Sequence, residues 1–469
     1  MSERNVWQYK GKSVLVAGMA RSGIAAAELL SKKGASVTIT DLKGEEELAD
    51  ELRPLNGLNI QRKLGRKTGE VLEECLKSAA APDTLVLSPG IPSTLPFVKE
   101  ARDRGVEVIA EIELAYRLST GPVFAITGTN GKTTTTTLIC EIFKAAGLDS
   151  VAVGNIGYPF SLAALEDSPE RHYVCECSSF QMETVDGFHP HVAAFLNLTE
   201  DHLNRHGTMD EYARLKMRVF EQQEPDDFAV FNADDPALSD RIRKVQGHVL
   251  LFSRKEDDGR IEDGAFVRNG MVVYRFQGRE EEILPAKDIY IPGPHNLENA
   301  LAAVCFAGAI GIPASVIAQT LRTFRGVEHR IEWTRELDGV TYYNDSKGTN
   351  VDSTIRAVQT MDKNTVIILG GSDKHCDFSP LAQEIIRSGK ILEAVIIGQT
   401  GDQIDETLRR FGYDHITRAK DMKEAVDVSR ALAGDGWNVL LSPACASFDM
   451  FHDYEERGRI FKELVRGLK

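Results

Sequence analysis

The densest chemistry in this chain lies at Thr127-Gly128-Thr129-Asn130-Gly131-Lys132-Thr133, which follows the β-branched run Val123–Ile126 and precedes a helical stretch from Thr134 onward. Backbone N–H groups of such a turn, with the positive end of the helix behind them, cradle phosphates. Lys132 would neutralise the β- and γ-phosphates, and the Thr133 hydroxyl would reach Mg²⁺. Ile126 stands where the standard phosphate loop carries its first glycine, so this is a shorter variant. A purely structural turn does not account for strand, loop, lysine and helix arriving in that order.

Other candidates fall at strand ends, where ligands of α/β proteins collect. Gly18-Met19-Ala20-Arg21-Ser22-Gly23 follows a strand and opens a helix, with Asp41 at the spacing of a dinucleotide fingerprint's acidic residue. Ala20 replaces the second glycine, so NAD, another nucleoside diphosphate and a structural turn all stay open. Glu176 and the pair Asp201 and His202 each follow a strand beside the phosphate loop, and hard oxygen ligands near phosphates suit Mg²⁺. Lys216, flanked by Arg214 and Arg218 on a helix expected over 209–222, reads by composition as a solvated surface lysine. His189 and His191 read as structural. The segments 344–350, 370–374 and 442–447 are rich in hydrogen-bond donors, carry two lysines and suit an anionic substrate such as a small dicarboxylate.

The elements that must position these residues repeat one theme: a β-branched run, a Gly-rich turn, an amphipathic helix. That alternation is the mark of parallel α/β sheets. It restarts near 111 and near 326, giving three α/β domains: 1–111 Rossmann-like, 112–326 a central mononucleotide-binding domain of phosphate-loop type, and 327–469 again Rossmann-like. The charged, Gly- and Asp-rich stretch 254–290 reads as hairpins at the edge of the middle domain. Hydrophobic residues at 42% and charged residues at 27% are ordinary for a globular chain and leave enough apolar material for a core in each domain. A formal net charge of -15 argues against wrapping a nucleic-acid backbone. No apolar run is long enough to insert in a membrane, and the seven scattered cysteines read as buried thiols of a reducing cytosol.

With those motifs in place, the chain resembles the Mur ligases, ATP-dependent amino-acid-adding enzymes of bacterial cell-wall synthesis. The shared segments are TGTNGKTT at 127–134, GNIG at 154–157, ECSSFQ at 176–181, TEDHL at 199–203, GPHNLENALAA at 293–303, EHR at 328–330 and NDSKGTN at 344–350. SPGIP at 88–92 and SPACASFDMFHDYEERG at 442–458 resemble the branch that joins D-glutamate to UDP-N-acetylmuramoyl-L-alanine. The resemblance implies that the three domains bind, in order, the UDP-sugar, ATP and the incoming amino acid, in a cytoplasmic monomer.

It also implies roles. Arg21, Ser22 and Asp41 would hold the uridine end, with Gly90 nearby, and Asn155 and His202 would meet the rest of that substrate. Gly128, Thr129, Asn130, Gly131, Lys132, Thr133 and Thr134 would take the phosphates, Asn296 and Asn299 the adenine, and Arg330 and Asp345 the ribose and phosphate side. Two Mg²⁺ ions would sit on Thr133, Glu176, His202 and Lys216, the last carbamylated, a role opposite to its reading by composition. Lys347, Thr349, Lys374, Ser447 and Tyr454 would bind D-glutamate, although Tyr454 and Phe448 stand where other side chains are common in the family. Lys132, Glu176, His202, Lys216 and Lys347 would carry the catalysis. A folate-glutamylating relative lacks a Rossmann-like first domain, an NAD-binding regulator leaves the phosphate loop unexplained, and a scaffold has no use for this strand-end chemistry.

Overall fold

The computed structural model describes residues 8–78, 81–257, 259–372 and 376–469. They form two compact units, Met1–Tyr290 with Glu298–Phe324, and Ile291–Leu297 with Arg325–Lys469.

The first unit holds two sheets. One is five-stranded and parallel, in the order Ile60–Leu64, Ser36–Asp41, Ser13–Ala17, Thr84–Leu87, Glu107–Ala110. Its central strand alternates faces: Val14 and Val16 enter one apolar cluster, Leu15 and Ala17 the other. Burial on both faces is why that strand reads as an unbroken apolar run. The direction of winding reverses at Ser13–Ala17, so the turn after Ala17 opens onto a crevice.

The other sheet has nine strands. Its parallel part runs Ser150–Gly154, His172–Glu176, Val123–Thr127, Val192–Phe195, Phe228–Asn232, His248–Glu256. Gly264–Arg268 adds in parallel to His248–Glu256, and Met271–Phe276 and Arg279–Pro285 follow as antiparallel hairpins at the edge. The hairpin turns use Asn269-Gly270 and Gln277-Gly278, all four at positive φ, the twist that matches a two-residue loop to its strands.

The second unit carries a six-stranded sheet, Glu332–Leu337, Val340–Asn344, Asn438–Leu441, Thr365–Leu369, Ile391–Ile396, Ile416–Arg418, parallel except for its first strand. Ile367 and Leu369 pack on one face, Val366 and Ile368 on the other.

The strand before the phosphate loop runs one residue further than expected, to Thr127, and two helix boundaries also differ. The helix after the phosphate loop begins at Lys132 rather than Thr134, because Gly131 takes a left-handed N-cap at φ 85. The helix expected over 209–222 ends at Met217, and a 3₁₀ turn Arg218–Phe220 follows. Among the described residues no helix is long and apolar enough to cross a membrane.

Candidate active site

Parallel register assembles the first half of the site. Ile126 pairs with Glu176, Glu176 with Gly154, and Thr127 with Phe195, so four loops leave the sheet at one edge. The Glu176 carboxylate is buried there, and its Oε1 accepts the Asn155 side-chain amide at 2.9 Å. The phosphate loop is braced from the next strand: Asn197 Oδ1 accepts Asn130 N–H at 2.8 Å, and the Asn197 amide donates to Asn130 O at 3.0 Å. Thr129 hydroxyl donates to Thr199 O at 3.0 Å. Gly131 is required on two counts, its positive φ and the space it leaves, since a Cβ there would stand 2.3 Å from Asn299 Oδ1. That same oxygen accepts the Thr135 hydroxyl at 3.2 Å, which puts Asn299 against the loop. Thr133 and Thr134 are buried in the first turn of the following helix.

Two lysines converge on one carbonyl. Lys132 Nζ donates to Gly128 O at 2.9 Å and to Thr129 O at 2.7 Å, while Lys216 Nζ donates to the same Gly128 O at 2.6 Å. This corrects the reading of Lys216 as a solvated surface lysine: it is 1% exposed. Tyr212, Ala213, Leu215 and Lys216 form the inward stripe of the helix Met209–Met217, and Lys216 Nζ lies 4.5 Å from the Tyr212 ring centre. Burial, and then the nearby Lys132 charge, hold the Lys216 amine well below the ordinary lysine range. His202 stands on the neighbouring loop at φ 54, with Phe180 at 4.8 Å and Asp201 Oδ2 at 3.6 Å. His191 Nδ1 bonds Asp227 Oδ1 at 2.9 Å and His189 bonds the other carboxylate oxygen, a structural pairing.

The Rossmann-like turn is built differently. Asp41 spends both oxygens on the protein, Oδ2 on Met19 N–H at 2.6 Å and Oδ1 on Lys43 N–H at 2.9 Å. It therefore shapes the turn beside a cavity of about 510 Å³ lined by Gly18, Asp41, Leu42, Lys67, Thr68 and Phe97. Arg21 and Gly90 are exposed and Ser22 half-buried. A Cβ on Gly157 would lie 3.5 Å from Arg21 Nη1, so Arg21 reaches the turn that carries Asn155.

In the second unit, Asp345 is buried and accepts the Ser442 hydroxyl at 2.7 Å and Ile331 N–H at 3.2 Å. Burial pushes its carboxyl up to about 6, against the opposing pull of the Arg330 charge. Arg330 is flanked by two non-glycine residues at positive φ, His329 at 64 and Ile331 at 45. Lys347 Nζ sits 5.4 Å from the Tyr454 ring centre, and Thr349 N–H donates to Lys347 O at 2.9 Å. Ser447 is buried on the neighbouring loop, and Asn296 donates to Pro292 O at 2.7 Å. Lys374 lies outside the described residues. Sequence reasoning passed over Arg457, which is buried and donates to Ser346 O at 2.7 Å, Cys445 O at 3.1 Å and Ala446 O at 3.2 Å. It ties the Lys347 loop to the Ser447 loop. Its only sequence signal was its place in the segment 442–458.

Comparison with known proteins agrees with this architecture. Residues 12–110 match the Mur ligase MurD-like N-terminal domain, 126–307 the Mur ligase middle domain, and 329–445 the Mur ligase glutamate ligase domain. The UDP-N-acetylmuramoylalanine--D-glutamate ligase of Thermoanaerobacter sp. (strain X514) is 44% identical over 464 residues, covering 98% of this chain and 100% of the relative. That of Clostridioides difficile (strain 630) is 42% identical over 462 residues, 98% of this chain and 99% of the relative. In fold, the chain is similar to the Thermotoga maritima UDP-N-acetylmuramate-alanine ligase MurC, with TM-score 0.60, 19% identity, and coverage of 98% of this chain and 100% of that one. The MurF ligase of the same organism, solved with ADP, gives TM-score 0.60 at 16% identity over 99% of both chains. With each of its three sheets matched by a family model and relatives aligned along nearly its whole length, this chain belongs to the Mur ligase family.

Proposed function

We propose that this Mur ligase uses ATP to join D-glutamate to UDP-N-acetylmuramoyl-L-alanine in cytosolic peptidoglycan precursor synthesis, acting as a monomer. One observation carries the reading: Lys132 and Lys216 meet at the Gly128 carbonyl of the phosphate loop, at the sheet edge where Glu176 is buried. Relatives matched end to end and named for that reaction support the choice of substrates. Residues 1–111 would take the UDP-sugar, 112–326 the nucleotide and 327–469 the amino acid.

An amide does not form from a carboxylate and an amine in water without activation. The L-alanyl carboxylate of the acceptor attacks the γ-phosphorus of ATP, giving an acyl phosphate and ADP. The amine of D-glutamate then attacks the acyl carbon, and inorganic phosphate leaves as the amide forms. The protein's part is positioning and charge compensation. Lys132 turns from its own loop carbonyls to the β- and γ-phosphates. Asn296 and Asn299 serve the adenine side, and Arg330 and Asp345 the ribose and phosphates. Arg21, Ser22, Asp41, Gly90, Asn155 and His202 hold the UDP-sugar, Asp41 by shaping its turn and His202 at the end away from the uridine. Lys347, Thr349, Lys374, Ser447 and Tyr454 hold D-glutamate.

The donor set fits Mg²⁺: a buried carboxylate at Glu176, the Thr133 hydroxyl and the His202 imidazole beside a phosphate loop. Bound there, two Mg²⁺ ions would offset the repulsion between carboxylate and triphosphate. Only a neutral lysine amine adds CO₂; burial and the nearby Lys132 charge favour that form at Lys216, and the carbamate would supply a further oxygen ligand.

The reading is tested by phosphate release. Release should need ATP, UDP-N-acetylmuramoyl-L-alanine and D-glutamate together. Turnover with L-glutamate and folate, or with L-alanine and UDP-N-acetylmuramic acid, would reassign the enzyme.

A further inference from the structure

We propose that Glu183 and Arg205 are positioning residues that set the distance between the loop 88–93 of the first sheet and His202 of the second. Glu183 sits on the 3₁₀ turn Gln181–Thr184, and Arg205 on the short helix Leu203–His206. Arg205 meets the Glu183 carboxylate as a fork, Nε to Oε1 at 3.0 Å and Nη2 to Oε2 at 3.0 Å. Each partner then reaches the same loop of the first sheet: Glu183 Oε2 accepts Ser93 N–H at 3.1 Å, and Arg205 Nη2 donates to Ile91 O at 3.4 Å.

The pair is held rigidly from behind. Arg218 donates to Met182 O at 2.8 Å, Glu183 O at 3.0 Å and Val185 O at 2.6 Å, which pins the turn that carries Glu183. In front, the Arg205 guanidinium lies 4.8 Å from the Phe180 ring centre, and the same ring meets the His202 imidazole at 4.8 Å and stacks on His206 at 5.3 Å. An unbroken series of contacts therefore runs from Ile91 and Ser93 through Glu183, Arg205 and Phe180 to His202. The side chains of Arg205 and Glu183 are only 18% and 10% exposed. A desolvated ion pair adds little net stability, but its bidentate geometry fixes register.

This inference rests on the proposed function, in which Gly90 of the loop lies near the uridine end and His202 near the other end of one extended substrate. If both anchors hold that molecule, their separation must match its length. A latch that reads both anchors would then tune affinity for the UDP-sugar and leave the other two substrates alone.

The test uses Arg205→Met, Arg205→Lys and Glu183→Gln in the full-length enzyme, with each of the three substrates varied in turn. Arg205→Met should raise the KM for UDP-N-acetylmuramoyl-L-alanine about tenfold, a modest part of what misplacing a reacting group can cost, with the KM for ATP and for D-glutamate within about twofold. Arg205→Lys should recover little of the loss, because an ammonium cannot replace the fork. Glu183→Gln, which keeps an acceptor for Ser93, should fall between wild type and Arg205→Met. Equal rises in all three KM values, or none, would overturn the proposal. A second readout needs no substrate: in Arg205→Met, amide exchange should quicken together in 88–93 and 199–206. Quickening confined to one segment would also overturn it, and this result stands whether or not the wild-type enzyme proves to be the ligase described above.

Discussion

Two strand–turn–helix units of the first unit start from similar sequence and end in different chemistry. In the turn Gly18–Gly23, Asp41 takes the Met19 N–H, Gly18 N–H donates to Thr40 O at 2.9 Å, and the Ser88 hydroxyl donates to Gly18 O at 2.7 Å. The turn is tied to the strands on either side, with a carboxylate against it and no lysine within it. In the turn Gly128–Thr133, two lysines lie on one carbonyl, and neutral Asn197 braces the backbone. A glycine-rich turn is thus not in itself a triphosphate site. The sign of the group at its centre decides: Asp41 repels phosphate from one turn, and Lys132 attracts it to the other. The cavity beside Asp41 suits the uncharged end of a nucleotide, and the second turn its polyphosphate.

The largest effect should come from removing the charge that defines the second turn. Lys132→Ala should lower kcat by about 10³-fold, the scale of losing a group that stabilises charge in the transition state. Arginine at 132 should restore little, because its planar fork does not replace a compact ammonium that must turn between Gly128 O and a phosphate. Phosphate release at saturating ATP measures this, and a loss of less than tenfold would erase the contrast between the turns.

Lys216 sharpens the same contrast. Lys216→Ala should cost about 10²-fold in kcat, and a short carboxylate such as acetate should return part of it by standing in for the carbamate. Full activity of the alanine variant would remove Lys216 from the mechanism. Rescue by a short amine in place of the carboxylate would keep the residue but overturn the carbamate.

At the first turn the effect is smaller and falls on one substrate. Asp41→Ala frees Met19 and Lys43 N–H and loosens the wall of the cavity. The KM for the UDP-sugar should rise about tenfold, the scale of losing a few hydrogen-bonded contacts, with the KM for ATP unchanged. A matching rise in the KM for ATP would mean that the two turns do not act separately.

What was legible in the sequence was local. Ser13–Ala17, Thr84–Leu87, Thr365–Leu369 and Asn438–Leu441 are strands end for end as their apolar runs imply, because a strand buried on both faces needs no partner to be recognised. Lys132 was legible because strand, loop and helix are contiguous. Lys216 was not: its neighbours Arg214 and Arg218 mark a polar helix, and only the contact with Gly128, 88 residues away, shows that the lysine turns inward. Composition placed Lys216 outside, and only the family resemblance assigned it a role. Glu183, Arg205 and Arg457 escaped for the same reason, since each acts through carbonyls and carboxylates remote in sequence. The hairpins after 254 were legible in their Gly and Asp turns, whereas the parallel addition of Gly264–Arg268 to His248–Glu256 has no local signature.

The smallest effect concerns the ground between the two turns. Glu111 begins the helix Glu111–Arg117 directly after the last strand of the first sheet, and its carboxylate accepts Ser161 N–H at 2.6 Å from the helix Phe160–Ala163 of the second. Its other oxygen is buried without a hydrogen-bond partner among the described residues. Burial raises its pKa above the usual 4.5, and the Ser161 hydrogen bond opposes that only in part. For a carboxyl raised in the folded state, the associated stability is fully present below the unfolded value and is lost as pH rises through the folded one. Glu111→Gln keeps an acceptor for Ser161 and cannot ionise. Its Tm should therefore match wild type near pH 4 and exceed it by a few degrees at pH 8, with the gap opening steadily between. Both turns are untouched by the change, so the KM values for the UDP-sugar and for ATP should stay together. A Tm difference that ignores pH would show that Glu111 does not titrate in this range. A shift in one KM alone would show that the junction acts on one turn, and that the turns differ in more than the charge at their centres.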